Sequence, residues 1–182
     1  MKLKRVVVTG LGALTPLGNS VSASWEGLKS GTSGAAPITR FDCSKFKTRF
    51  ACEVRNFDPE SILEKKEARK LDLFSQFGIA AAVEAIEDSG ITKHQGFNPD
   101  RVGVIWAAGI GGLRTFWDEA VSFAKGDGTP RFNPFFIPKM ISEIAAGHIS
   151  IKYGLRGPNY VTVSACASSA NALIDAFNYI RI

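Results

Sequence analysis

A β-branched run that stops at a corner of small residues and resumes at helical spacing is the most constraining feature of this chain. In Tyr160-Val-Thr-Val-Ser-Ala-Cys-Ala-Ser-Ser-Ala170 the strand-forming stretch gives way to small residues, and Ala170, Leu173, Ile174 and Phe177 then follow a helical period. A strand thus delivers Cys166 to the start of a helix. The unpaired N–H groups and partial positive charge there stabilise an anion, and the thiolate is the nucleophilic form of cysteine. Because Ala165, Ala167 and Ser168 are small, a substrate carbonyl could approach the sulfur with the Cys166 N–H as half of an oxyanion hole. Free cysteine is also among the most buried residue types, so the local pattern alone fits a packed cysteine equally well.

Strands and helices alternate along the rest of the chain. Residues 5–9 read as a buried strand, 21–29 as a helix capped by Asn19 or Ser20, and 50–54 as a strand after the Gly/Ser-rich stretch 30–34. Residues 67–88 read as one long helix that Ser89-Gly90 closes, with Leu71, Phe74, Ile79, Ala82, Val83 and Ile86 on its apolar face. Residues 101–107 suit an inner strand, Gly109, Gly111 and Gly112 a turn, 113–125 a helix and 126–134 a breaker-rich loop. A helix over 138–153 with Pro138 in its first turn then leads to the strand 160–163. Such alternation implies an α/β layered domain whose sheet faces are covered.

A chain of 182 residues with 45% hydrophobic content can bury a core and fits one domain. Three cysteines, Cys43, Cys52 and Cys166, are an odd number without metal-ligand spacing, which favours a reducing compartment, the cytoplasm, over a disulfide scaffold. Val6-Val-Val8 after Met1-Lys-Leu-Lys-Arg5 mimics a secretory leader, but Gly10, Gly12, Pro16 and Gly18 interrupt it. No apolar stretch is long enough to span a bilayer. Gly10-Leu-Gly12-Ala-Leu-Thr15 approximates a dinucleotide fingerprint, yet Thr15 and Pro16 stand where its third glycine belongs, so it reads as a tight corner. The net charge is +5, with a basic cluster at Lys65, Lys66, Arg69 and Lys70 on adjacent turns of one helix. Nucleic acid is not the expected partner, because aromatic interleaving and recognition motifs are absent.

Leu155-Arg-Gly-Pro-Asn-Tyr-Val-Thr-Val-Ser-Ala-Cys-Ala-Ser-Ser169 resembles the nucleophile segment of the β-ketoacyl-acyl carrier protein synthases, in particular the type II condensing enzymes of bacterial fatty acid synthesis. Val6-Val-Val-Thr-Gly-Leu-Gly-Ala-Leu-Thr-Pro-Leu-Gly18 resembles the family's opening strand and loop, Arg69-Lys-Leu-Asp72 its basic helix, and Val104-Ile-Trp-Ala-Ala-Gly-Ile-Gly-Gly112 its Gly-rich turn. Asn133-Pro-Phe-Phe-Ile-Pro138 with Ala146-Gly-His148 resembles its pocket and interface segment. These segments occur in family order across nearly the whole chain.

The resemblance implies a thiolase-like, layered α/β/α fold made of two similar halves, of which residues 1–182 match the first, N-terminal one. The chain is accordingly expected to stop inside the nucleophile helix. Cys166 is implied as the nucleophile that takes an acyl group from a carrier thioester, followed by decarboxylative condensation with malonyl-acyl carrier protein. That covalent route needs no organic cofactor and no metal. Ile110 is implied to gate the acyl pocket and Phe136 to line a partner's pocket across a homodimer interface. Both residues suit ordinary core packing as well. Lys66, Arg69 and Lys70 are implied to dock the acidic acyl carrier protein. The family's two malonyl-polarising histidines and its lysine lie in the second half, so His94 and His148 are not expected to be catalytic. The alternatives are a polyketide ketosynthase or a thiolase on the same fold, or a non-catalytic partner subunit resembling a chain length factor, against which retention of Cys166 argues.

Overall fold

In the computed structural model, which describes residues 3–182, the Cys166 strand lies parallel to the apolar run that precedes the Gly-rich turn. These strands, β3 (Val104–Ala107) and β4 (Asn159–Thr162), pair from Val104↔Asn159 to Ala107↔Thr162. Side chains of a strand alternate between its faces, and β4 uses both. The Tyr160 hydroxyl donates to Asp175 at 3.0 Å on α7 (Ser168–Arg181), whereas Val161 packs into the core built on α3 (Leu73–Ser89) and α6 (Ile144–Tyr153). The strand pair is therefore sandwiched, helix against sheet against helix, as the α/β/α expectation requires.

The core joins Leu71, Ile79, Val104, Ala146 and Ile149, with Trp106, Tyr153 and Val161 packed around it. Each fully buried Leu or Ile contributes about 1.5–3 kcal/mol from removal of apolar surface from water. Asn159 ties the sheet to α6 by donating its side-chain amide to the Ala146 carbonyl at 3.2 Å and the Ser150 hydroxyl at 2.7 Å. A second, antiparallel pair, β1 (Ala35–Pro37) and β2 (Phe50–Cys52), shortens the strand expected at 50–54. Helix α1 (Val21–Lys29) has the expected span, and its cap is Ser20, whose hydroxyl accepts from the Ala23 N–H at 3.1 Å. Helix α4 (Leu113–Lys125) also matches, and Gly90 closes α3 in the left-handed conformation at φ 61°.

Three expectations are corrected. Residues 5–9 form no strand, and Val7 and Val8 are exposed. Backbone donors just beyond them go to helix side chains instead of a ladder: the Leu11 N–H to Asp88 and the Ala13 N–H to Glu84, each at 2.9 Å. Gly10 and Gly12 are needed there because a Cβ on either would overlap the carbonyl oxygen of Ala85 or Ala81 on α3. The helix expected over 67–88 is two, α2 (Lys65–Ala68) and α3. The break is Asp72, held extended at φ −69°, ψ 159° while its carboxylate accepts from the Phe74 N–H at 3.2 Å, a helix cap inside an otherwise continuous apolar period. The basic residues thus occupy a short helix and the turn after it. The helix expected over 138–153 also divides, into α5 (Phe136–Met140) and α6, with Ile141 extended between them. The Gly112 N–H takes the Met140 carbonyl at 2.8 Å, satisfying it outside a helical ladder.

Candidate active site

Cys166 is exposed, in the 3-10 turn Ala165–Ala167 between the end of β4 and the first residue of α7. The residue before it, Ala165, has φ 49°. A non-glycine residue in the left-handed region costs about 1–2 kcal/mol, so the corner is strained and needs bracing. Ser168 supplies the brace. Its hydroxyl, only 3% exposed with its residue, donates to the Ala165 carbonyl at 2.7 Å and accepts from the Ser164 N–H at 2.8 Å. Thr162 adds a bond from its hydroxyl to the Ser168 carbonyl at 2.8 Å, and Asn171 donates to the Ser164 hydroxyl at 2.7 Å. The strand end, the corner and the helix start are one hydrogen-bonded unit that holds the sulfur outward.

Parallel pairing places the Gly-rich turn beside this unit. Ala107 is opposite Thr162, and the Ala108 N–H donates to the Thr162 carbonyl at 3.4 Å. A Cβ on Gly109 would come 3.8 Å from the Ala165 carbonyl oxygen. Ile110, the next residue, is exposed and forms one wall of an open hollow of about 390 Å³ with Leu113, Phe116, Met140 and Ile141. Gly111, at φ 94°, packs where a side chain would strike the Met140 carbonyl and the Ser142 hydroxyl. The walls are mainly apolar, with Ser142 and Glu143 completing the lining, which suits a flexible hydrocarbon tail.

Phe136 is half-buried and does not line that hollow. Its ring stacks on Phe116 at 6.3 Å and on Phe132 at 5.8 Å, one aromatic layer behind the wall. Lys66 and Arg69 are exposed, while Lys70 forms an ion pair with Glu67 at 2.6 Å and lies 5.8 Å from the Phe135 ring centre. The Lys70 hydrogen bond holds the Glu67 carboxyl below its ordinary value, with smaller help from the positive charge of Lys70 and from His148. His94 sits in a loop with its Nδ1 accepting from the Gly96 N–H at 3.0 Å, and His148 lies on α6. Neither contacts the corner through a hydrogen bond among the described residues. Desolvation and then the Asp175 bond push the Tyr160 phenol up to about 12, so that hydroxyl serves as a donor to α7.

Reading the sequence missed Ser168 as the brace, Ala165 as the strained position and Asp72 as a cap. Ser168 was visible only as a small residue, and its role depends on the backbone turning left-handed three residues earlier. Asp72 had a signal, a capping residue ahead of Leu73-Phe74, which the surrounding apolar period masked.

The chain matches the β-ketoacyl synthase N-terminal domain family over residues 3–182. It is 43% identical over its whole length to 3-oxoacyl-[acyl-carrier-protein] synthase 2 of Synechocystis sp., and 48% identical over 92% of its length to the synthase of the same name from Coxiella burnetii. The chain spans 43% and 40% of those two relatives. Among solved structures, the ishigamide ketosynthase/chain length factor shares the fold with a TM-score of 0.81 at 24% identity, over 97% of this chain and 45% of that one. A type II polyketide acyl carrier protein in complex with its ketosynthase bound to the hexaketide aligns with a TM-score of 0.77 at 25% identity, over 98% and 48% of the two chains. With its thiolase-like α/β sandwich, its strained cysteine corner and its match over residues 3–182 to the N-terminal domain, the chain belongs to the β-ketoacyl synthase family.

Proposed function

We propose that this protein is a β-ketoacyl-acyl carrier protein synthase II that elongates acyl chains in cytoplasmic fatty acid synthesis. The observation that carries the proposal is the exposed Cys166 on a braced, strained corner beside an apolar hollow. In the first step Cys166 gives up its thiol proton and the thiolate attacks the carbonyl of an acyl carrier thioester; the C–S bond to the carrier breaks, the carrier thiolate leaves and takes up that proton, and the acyl group rests on Sγ. In the second, malonyl-acyl carrier protein loses carbon dioxide, and the resulting carbanion attacks the Cys166 thioester and expels the thiolate. The product is a β-ketoacyl carrier thioester two carbons longer. By resemblance, the histidines and lysine for the decarboxylation belong to the family's second half.

Ile110 is assigned to gating the hollow, Phe136 to the wall behind it at a homodimer interface, and Lys66, Arg69 and Lys70 to carrier docking. Exposed apolar area on α4, including Trp117 beside the Phe116, Phe132 and Phe136 stack, supports a homodimer. The name shared by relatives at 42–48% identity supports fatty acid elongation over polyketide synthesis.

The test uses the protein at its native length. Incubation with acyl-acyl carrier protein should add the acyl mass to the peptide containing Cys166, and addition of malonyl-acyl carrier protein should release the extended product. An acyl mass on Cys43 or Cys52 instead, or none on Cys166, would sink the proposal.

A further inference from the structure

The Asp72 carboxylate joins the basic turn to the loop of Ile110. Its Oδ1 caps α3 through the Phe74 N–H, whereas its Oδ2 accepts from the N–H of Thr115 at 3.1 Å and from the hydroxyl of the same residue at 2.5 Å, 43 residues away in the first turn of α4. A cap needs only the first oxygen. The second is spent on a cross-link, in a residue only 9% exposed, where bonds to an ionised acceptor are stronger than neutral ones. The negative charge also lies where the start of α4 favours it. Between Thr115 and Ile110 the loop closes on the same group: a Cβ on Gly112 would stand 3.2 Å from Asp72 Oδ2, and the Gly112 N–H holds the Met140 carbonyl. On the other side, Lys70 lies over the Phe135 ring, next to Phe136. The turn carrying Arg69 and Lys70 therefore reaches the Ile110 loop through Asp72 and the aromatic layer behind the hollow through Lys70.

On the basis of the function proposed above, we infer that Asp72, acting through Thr115, is a positioning residue that transmits carrier docking on Lys66, Arg69 and Lys70 to the Ile110 loop, setting that loop for acylation of Cys166. The turn is short and tied at both ends, by the α3 cap and by the ion pair with Glu67, so a load on Arg69 and Lys70 reaches the carboxylate with little slack. The glycines at 109, 111 and 112 make the adjoining loop the part able to yield.

The experiment is a double-mutant cycle on the native-length protein, reading single-turnover acylation of Cys166 from acyl-acyl carrier protein as a maximal rate and a half-saturating carrier concentration. Thr115→Val should lower the maximal rate about fivefold or more, in the usual range for coupled sites, with the half-saturating concentration moved less than about twofold. Thr115→Ser, which keeps the hydroxyl, should restore it. Arg69→Ala should both raise the half-saturating concentration and lower the maximal rate. In the double variant Arg69→Ala should cost no further maximal rate beyond Thr115→Val. If Thr115→Val does not fold, Asp72→Asn replaces it, because asparagine caps a helix as well as aspartate. Losses that multiply in the double variant would reduce the cross-link to a static brace and overturn the inference while leaving the proposed function standing. Failure of the unmutated protein to acylate Cys166 would remove both.

Discussion

Ala165 and Ser168 set how firmly Cys166 is presented, and their substitution should separate stability from reactivity. Glycine at position 165 removes the left-handed penalty of about 1–2 kcal/mol and adds unfolded-state freedom of about 0.5–1 kcal/mol. Ala165→Gly should thus leave the thermal midpoint unchanged or slightly raised, while Cys166 acylation slows because the corner is no longer confined to one conformation. A lowered midpoint would mean that φ 49° is not a strained state here. Ser168→Ala does the opposite, leaving the Ser164 N–H and the Ala165 carbonyl without their buried partner. Ser164 and Ala165 are themselves exposed, so each lost bond costs the ordinary net value of about 0.5–1.5 kcal/mol, and both the midpoint and the acylation rate should fall. Unchanged values of both in calorimetry and single-turnover assays would rule out the brace.

At the scale of elements, the basic turn and the β1–β2 pair each carry an expectation. Reversing the charges of Arg69 and Lys70 to glutamate should weaken acyl carrier protein binding and flatten its salt dependence, since exposed charges are screened over about 10 Å at 0.1 M salt. Titration calorimetry at two salt concentrations reads this, and an affinity indifferent to the reversal would make the cluster a solvated face. The loop leaving β1 is held by Glu53, whose carboxylate accepts from the hydroxyl of Thr39 at 2.7 Å and from its N–H at 3.2 Å. The Thr39 hydroxyl bond, opposed by desolvation and aided by the backbone and Arg40, holds that carboxyl below its ordinary 4.5. Its contribution is therefore complete above the unfolded value and is lost as pH falls below about 4.5. Glu53→Gln should unfold more easily than the unmutated protein at pH 7, with the gap closing on acidification. A gap independent of pH would show that ionisation is not involved. Long periodic elements were legible in the sequence, α1, α3, α4 and the β4–corner–α7 unit among them, because local pattern and tertiary environment agree there. The breaks at Asp72 and Ile141 and the unpaired residues 5–9 were not: the local cap at Asp72 is masked by the apolar period around it, and the other two go with partners distant in sequence, Gly112 and the acidic residues of α3. The same rule holds at the site. Cys166 could be found from its own segment, whereas its brace and its neighbouring loop come from contacts that only folding reveals.

For the molecule as a whole, the distribution of exposed apolar surface makes the sharpest demand. Leu173, Ile174, Phe177 and Ile180 of α7 are 40–69% exposed, Val163 at the end of β4 is 57% exposed, and Val7 and Val8 add further branched side chains. Scattered exposed leucines and valines are ordinary, but a face of this kind along one helix and its strand marks a surface that burial against another body would stabilise. Among the described residues the β3–β4 sheet has two strands, so backbone groups along its outer edges are open to pairing. No helix among the described residues is long and apolar enough to cross a membrane. Residues 1–182 expressed alone should therefore self-associate, eluting as large or polydisperse species in chromatography with light scattering, and should give no malonyl-dependent product. A chain that carries both halves of the family's fold should instead be a discrete homodimer that condenses acyl and malonyl groups. Labelling reads the corner itself: iodoacetamide should modify Cys166 ahead of Cys43, as its greater exposure on the braced corner requires. A monodisperse 1–182 monomer that sustains condensation would show that the apolar face needs no cover and that the histidine chemistry assigned to the family's second half is not required.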